Sequence, residues 1–252
     1  MVCIWDLNTG KVLAALEGDI GNGGVPRSVF SVAITSDSTK IVSGAKGGIM
    51  KIWDLNTGNV LYTDGHTSSV YSVAITSDNT KIVSGSWEYG MSSIKIWDLN
   101  TGKVINALEG HTSSVYSVAI TSDNTKIVSG SDDSTIKVWE LDTGKLLNTL
   151  EDRGDVDSVA MTSDNTKIVS GAQYGGSIKA ITIWDLNTGK ALNVLEGDFV
   201  AFAITPDNTK IVAGSSNNKI KVWELNTGRL LSTFELLTQR TLLREPKSIG
   251  IC

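Results

Sequence analysis

The stretch GHTSSVYSVAITSDNTKIVSGS, residues 65–86, recurs without change at 110–131. Three looser copies keep its frame: SVFSVAITSDSTKIVSGA at 28–45, DVDSVAMTSDNTKIVSGA at 155–172 and DFVAFAITPDNTKIVAGS at 198–215. A second module runs between the copies, an apolar strand that ends in Trp-Asp or Trp-Glu and then turns. Its tryptophans are Trp5, Trp53, Trp97, Trp139, Trp184 and Trp223, at spacings of 48, 44, 42, 45 and 39 residues. Self-similarity at such a period marks a repeat architecture, and the rest of the chain has to be read through it.

Each period carries four strand signals. In the cleanest copy SVYSVAIT (114–121) is strand a, rich in β-branched and aromatic residues. TSDNT (121–125) is a turn, because Ser, Asp and Asn bond their own backbone there. KIVSGS (126–131) is strand b, DDST (132–135) a second turn and IKVWEL (136–141) strand c. DTG (142–144) supplies a glycine where φ can be positive, and KLLNTL (145–150) is strand d. No helical periodicity is present in the repeats. One four-stranded sheet cannot hide both its faces, whereas sheets packed radially around an axis hide them and leave only short edges. The expected fold is all-β, a β-propeller of four-stranded antiparallel blades.

These residues resemble the WD-repeat family. The shared marks are Gly65-His66 and Gly110-His111, the SGS that ends strand b, and the Trp-Asp that closes strand c, over about residues 1–235. The resemblance implies a structural tetrad of His, Ser/Thr, Asp and Trp within a blade. Carried onto this chain it is complete once, as His111, Ser129, Asp133 and Trp139. His66, Ser84 and Trp97 lack the Asp, and an insertion WEYGMSS stands in its place. Ser43 and Trp53 are followed by Lys46-Gly47-Gly48, Ser170 and Trp184 have no His, and Ala213 replaces the Ser in the last copy. The 110–150 blade is expected to be the stiffest and the last one of the loosest.

Five a–b modules face six c–d modules, so the first blade lacks its inner strands. The expected ring has six blades with the first incomplete, as a propeller over 1–235. The tail 236–252 contains Pro246 and is expected to be a degenerate closing strand or disordered. A five-bladed ring with a spare hairpin and a fragment of a longer protein are the other readings, the last being preferred as the origin of an imperfect six-blade ring. An unclosed ring would expose strand edges that invite pairing with another chain.

Composition narrows the function. The net charge of −5 removes any general attraction to phosphate backbones or anionic membranes. Lys40, Lys81, Lys126, Lys167 and Lys210 recur at strand-b starts, where aspartates offset them. The N-terminus lacks the pattern of a signal peptide, and no apolar run approaches the ~18 residues of a membrane span, which points to the cytoplasm or nucleus. Cys3 and Cys252 read as two reduced thiols more readily than as a bridge.

The inventory for catalysis is thin. His66 and His111 share one repeat position, and Asp37, Asp78, Asp123, Asp164 and Asp207 share one turn. No metal-ligand spacing and no phosphate-cradling GxxxxGK[ST] occurs, so no cofactor is implied and no enzyme is expected. The expectation is a protein–protein interaction scaffold; a docking domain of a larger signalling protein is the alternative. Positions that differ between repeats are free to carry specificity. Phe30, Tyr71, Tyr116, Asp157 and Val200 hold the second position of strand a, which in the resembled family commonly lies on the top face near the channel mouth. Three aromatics and an acid there suit an inserted Lys or Arg side chain; packing against neighbouring blades is the alternative. Trp87 and Tyr89 in one b–c connection, and Tyr174 in another, are further candidate contacts, with folding onto their own sheet as the alternative.

Overall fold

The computed structural model describes residues 2–5, 8–16, 27–87, 94–174 and 177–235. Every regular element in it is a β-strand. Strands β1 (Val2–Trp5) and β2 (Val12–Leu16) form a hairpin. Blade 1 is β3 (Val29–Ile34), β4 (Lys40–Ala45), β5 (Ile49–Asp54) and β6 (Val60–Gly65). Blade 2 is β7 (Val70–Ile75), β8 (Lys81–Ser86), β9 (Ile94–Asp98) and β10 (Val104–Leu108). Blade 3 is β11 (Val115–Ile120), β12 (Lys126–Ser131), β13 (Thr135–Glu140) and β14 (Leu146–Glu151). Each of these blades is a four-stranded antiparallel meander in chain order.

The next two blades share a strand. β15 (Asp155–Met161), β16 (Lys167–Tyr174), β17 (Ser177–Asp185), β18 (Ala191–Ile204), β19 (Lys210–Ser215), β20 (Lys219–Glu224) and β21 (Leu230–Glu235) form one seven-stranded sheet. β18 is the outer strand of blade 4 in its first half and the inner strand of blade 5 in its second. The cause lies in the sequence. Seven positions separate Leu108 from Val115, but only four separate Leu195 from Phe199. The shorter connection has no room for a loop, so the strand runs through.

Local chemistry sets the turns. In the a–b turn of blade 3 the Asp123 carboxylate accepts from the Thr125 amide at 3.0 Å and from its hydroxyl at 2.8 Å. Asn124 sits at φ 57°, a left-handed position that Asn tolerates better than most residues. In the c–d turn of blade 1 Asp54 accepts from the Asn56 and Thr57 amides and the Thr57 hydroxyl, and Gly58 at φ 72° closes the reversal. The Asp of Trp-Asp is therefore a turn clamp.

The core lies between blades. Val42, Met50 and Ile52 of blade 1 meet Val70, Val73, Ile82, Trp97 and Leu99 of blade 2, and each following interface repeats the pattern. Burial of one such side chain contributes roughly 1.5–3 kcal/mol, so the interfaces outweigh any single hydrogen bond of about 1 kcal/mol. The glycine of SGS makes the contact close: a Cβ on Gly130 would lie 2.5 Å from Val156 Cγ1, and one on Gly44 would lie 2.7 Å from Val70 Cγ1.

Two polar ladders run across the blades. The Ser36 amide donates to Asn79 Oδ1 at 2.9 Å, Ser77 to Asn124 at 2.9 Å, Ser122 to Asn165 at 2.8 Å and Ser163 to Asn208 at 3.0 Å. The ladder ends where the sequence changes: Pro206 of blade 5 has no amide N–H to donate, and Ser38 of blade 1 has no side-chain amide to accept. In the second ladder the amides of Val73, Val118 and Val159 donate to Ser31, Ser72 and Ser117 Oγ, each at 3.1 Å. The hydroxyl of Ser158, next in that series, is buried without a hydrogen-bond partner among the described residues.

Candidate partner-binding face

The tetrad residues are joined in blade 3. His111 Nδ1 lies 2.8 Å from Asp133 Oδ2 and Nε2 lies 2.7 Å from Ser129 Oγ, which accepts from Trp139 Nε1 at 2.9 Å. Asp133 also accepts from the Thr135 hydroxyl at 2.6 Å and the Thr112 amide at 2.9 Å. Burial pushes its pKa up, but the bonds from His111, Thr135 and Thr112 outweigh it and hold the carboxyl well below the usual range. Blade 2 keeps the His66–Ser84 contact at 2.7 Å and the Trp97–Ser84 bond at 2.8 Å; blade 1 keeps Trp53 to Ser43 at 2.9 Å. Both histidine side chains are buried and bonded to the strand-b serine of their own blade.

Blade 4 holds a substitute that the sequence reading overlooked. Ser170 Oγ donates to Asp152 Oδ2 at 2.5 Å while accepting from Trp184 Nε1 at 2.8 Å. Asp152 precedes Ser170 by 18 positions, as His66 precedes Ser84 and His111 precedes Ser129. That spacing was the available signal. In blade 5 the motif is replaced by packing: Ala213 is buried and Phe199 meets Trp223 edge-on with centroids 5.4 Å apart.

The second residue of each strand a is a bulge. Val29 pairs with Ala45 and Ser31 with Gly44, so Phe30 has no opposite residue, and the same shift leaves out Tyr71, Tyr116, Asp157 and Val200. A bulge re-aims its side chain away from the alternation of the strand. It brings three of the expected residues together: Phe30 and Tyr71 have ring centroids 5.4 Å apart, and Tyr71 and Tyr116 5.1 Å at 70°. The rings thus do pack against neighbouring blades, and they form a continuous row across three of them. Phe30 at its end is exposed, and Tyr71, Tyr116 and Asp157 are half-buried.

Two acids flank the row at its other end. Asp132 belongs to the b–c turn of blade 3 and Asp155 opens blade 4. Burial raises the Tyr116 phenol, and Asp132 raises it further, with Asp155 adding to the effect. Asp155 is itself raised by burial and by the Asp132 carboxylate beside it. Two neighbouring carboxylates gain from a cation placed between them. Of the adjacent Asp132-Asp133, only the second serves the tetrad; that spare acid was the sequence signal for this pair.

Trp87 is exposed at the end of strand b in blade 2. Tyr89 lies outside the described residues. Tyr174 ends β16 opposite Ser177, and its side chain lies outside what is described. Cys252 and the tail 236–252 also fall outside it, and Cys3 is a free thiol among the described residues. Among the described residues no group of three or more His, Cys, Asp or Glu could hold a metal ion, and no helix is long and apolar enough to cross a membrane.

A family model described as WD domain, G-beta repeat matches residues 11–54, 58–98, 102–140 and 189–224. It passes over 141–188, which holds the last strand of blade 3 and the first three strands of blade 4, and in which Asp152 stands where His66 and His111 stand in two other repeats. The chain is similar to autophagy-related protein 16 of Arabidopsis thaliana, 30% identical over 67 residues, which is 26% of this chain and 12% of that relative's length. Among solved structures it is similar to the computationally designed Ika8 protein, with a TM-score of 0.73 and 30% identity over 91% of this chain and 67% of that one. Four matched repeats spanning more than half of the chain, on blades built as described, place this protein in the WD-repeat family of β-propellers.

Proposed function

We propose that the chain is a non-catalytic protein-interaction scaffold that holds a peptide through a Lys or Arg side chain at the row Phe30–Tyr71–Tyr116. The carrying observation is the junction of that row with Asp132 and Asp155. Aromatic faces attract a cation, and the paired carboxylates bond it. Asp157, at the bulge of blade 4, extends the acidic side, and Trp87, Tyr89 and Tyr174 would widen the contact along the b–c connections. WD repeats serve protein interaction generally, which supports the class of function. The histidines that an enzyme would call upon are tied to Ser84 and Ser129 within their blades.

Selection of phage-displayed peptides on the chain tests this reading. Peptides enriched in Lys or Arg are expected, with affinity falling about tenfold, or ~1.4 kcal/mol, for Tyr116→Ala and for Asp132→Asn combined with Asp155→Asn. Peptides without basic residues, or binding indifferent to those variants, would sink it.

A docking domain within a larger protein is the second reading. The observation that favours it is that the 67 residues matched in the plant relative are 12% of that protein's length, so that relative is a much longer chain than the matched segment.

A further inference from the structure

Two places recur at each seam between neighbouring blades. One is two residues past the glycine of strand b, and the other is just before the first Val or Phe of the next strand a. Lys46 and Ser69 hold them between blades 1 and 2, Trp87 and Ser114 between blades 2 and 3, and Gln173 and Asp198 between blades 4 and 5. Only the seam of blades 3 and 4 has acids at both, Asp132 and Asp155.

The backbone brings these two acids together. Gly130 lies against Val156, so that a Cβ on it would stand 2.5 Å from Val156 Cγ1. Asp132 is held twice: its amide donates to the Ser114 carbonyl at 2.9 Å, and its Oδ2 accepts from the Ser113 hydroxyl at 3.0 Å. Asp155 is held by its place in β15, opposite Gln173 of β16. The two carboxyl groups share a hydrogen bond. Such a bond needs a proton on one partner, because an ionised carboxylate only accepts. Burial and the Asp132 carboxylate both push the Asp155 carboxyl up, which places the proton on Asp155. Among the described residues no Lys or Arg is bonded to either carboxylate, and the Arg153 guanidinium turns to Glu196 at 3.4 Å. Asp133, beside Asp132, is turned onto His111. Tyr116 stands next to the pair with Tyr71 behind it, and its raised phenol stays protonated in acid. Asp157 lies two residues further along β15.

We propose that Asp132 and Asp155 form a proton-displacement site: in mild acid the free chain keeps a proton between the two carboxyls, and the basic side chain of a bound peptide takes that proton's place, so the peptide is held at neutral pH and let go as the pH falls. This rests on the peptide-binding reading above and adds its regulation. On binding, the O–H···O bond between the acids breaks, the proton passes to water, and N–H···O bonds from the incoming cation replace it. A proton and a cation that exclude each other from one pair of oxygens weaken each other's binding by the same factor. The cation therefore lowers the Asp155 midpoint, and affinity for the cation declines as pH drops through the midpoint of the free chain. The seam of blades 4 and 5 carries an amide, Gln173, in the place of Asp132 and lacks this device.

Carboxyl-carbon NMR on the full chain tests this, with N-acetyl-arginine amide as a probe that carries the side-chain charge and no other. In the free chain Asp155 is expected to titrate above the ordinary aspartate value of about 3.9. Asp132→Asn should lower that midpoint, since it puts an amide donor where a charge stood, and saturating probe should lower it as well. Below the free midpoint the dissociation constant of the probe should rise about tenfold for each pH unit. In Asp155→Asn, which has no proton to lose at that place, the rise tied to this midpoint should be gone while weaker binding remains. An Asp155 midpoint at the ordinary value, or one that the probe leaves unmoved, overturns the displacement even where the probe binds. A probe that binds the native chain at no pH removes the reading of the aromatic row as a cation site, and the displacement with it.

Discussion

Asp152 stands to Ser170 as His111 stands to Ser129. Each lies 18 residues ahead of its serine, and each serine also accepts from the tryptophan of its own strand c, Trp184 or Trp139. One geometric slot therefore takes an imidazole or a carboxylate, because the serine hydroxyl can turn its proton either way. Asp152→Ala is expected to lower stability by about 1–3 kcal/mol, since it strips a buried hydroxyl of its acceptor. Asp152→His should recover most of the loss by copying blade 2. Urea titrations of the three proteins measure this, and an indifferent Ala variant would show that the bond carries no stability.

Tryptophans at two kinds of position should part company. Trp139 is fully buried and hydrogen-bonded, so Trp139→Ala is expected to cost about 3–5 kcal/mol. Trp87 is exposed, and Trp87→Ala should stay within about 0.5 kcal/mol while weakening a bound partner. Thermal melts of both variants decide it; equal losses would remove Trp87 from the contact surface.

The tetrad gives blade 3 a defined acid sensitivity. The Asp133 carboxyl is held below its ordinary value in the folded chain, so its stabilising contribution is complete above the unfolded value of about 4 and is lost as pH falls below it. The stability gap between the native chain and Asp133→Asn should be constant from about pH 7 to 5 and narrow from about pH 4 downward. Urea midpoints across that range check the sign. A gap that widened in acid would contradict the bonding described here.

The inter-blade serines supply an internal control. Ser117 Oγ accepts from the Val159 amide at 3.1 Å, whereas Ser158 Oγ is buried without a partner among the described residues. Ser117→Ala should destabilise by about 1 kcal/mol, and Ser158→Ala should be neutral or mildly stabilising because it removes an unsatisfied group. The order of the two midpoints in denaturant is the measurement.

Much of this was legible in the chain. The 22-residue duplication, the strands it encodes and the Trp-Asp turn follow from local chemistry, since a hairpin turn depends on its own five residues and strand alternation on its own six. The His111–Ser129–Asp133–Trp139 set was readable through family resemblance, and Asp152 would have been through the 18-residue spacing. The bulge that turns Phe30, Tyr71 and Tyr116 toward one another was not, because a bulge is a mismatch between two strands and appears in neither one alone. The nearness of Asp132 to Asp155 likewise depends on how blade 3 meets blade 4.

The repeat by itself determined the fold class, since a sheet with two apolar faces has few ways to bury both. Tertiary structure alone decided which copies of one sequence pattern are buried and which are exposed. Val32 and Val73 occupy the same place in nearly identical strands, yet Val73 packs against blade 1 and Val32 is half exposed. Burial is a property of the neighbour across the gap, and identical residues therefore carry different energies at the ends of the array and in its middle.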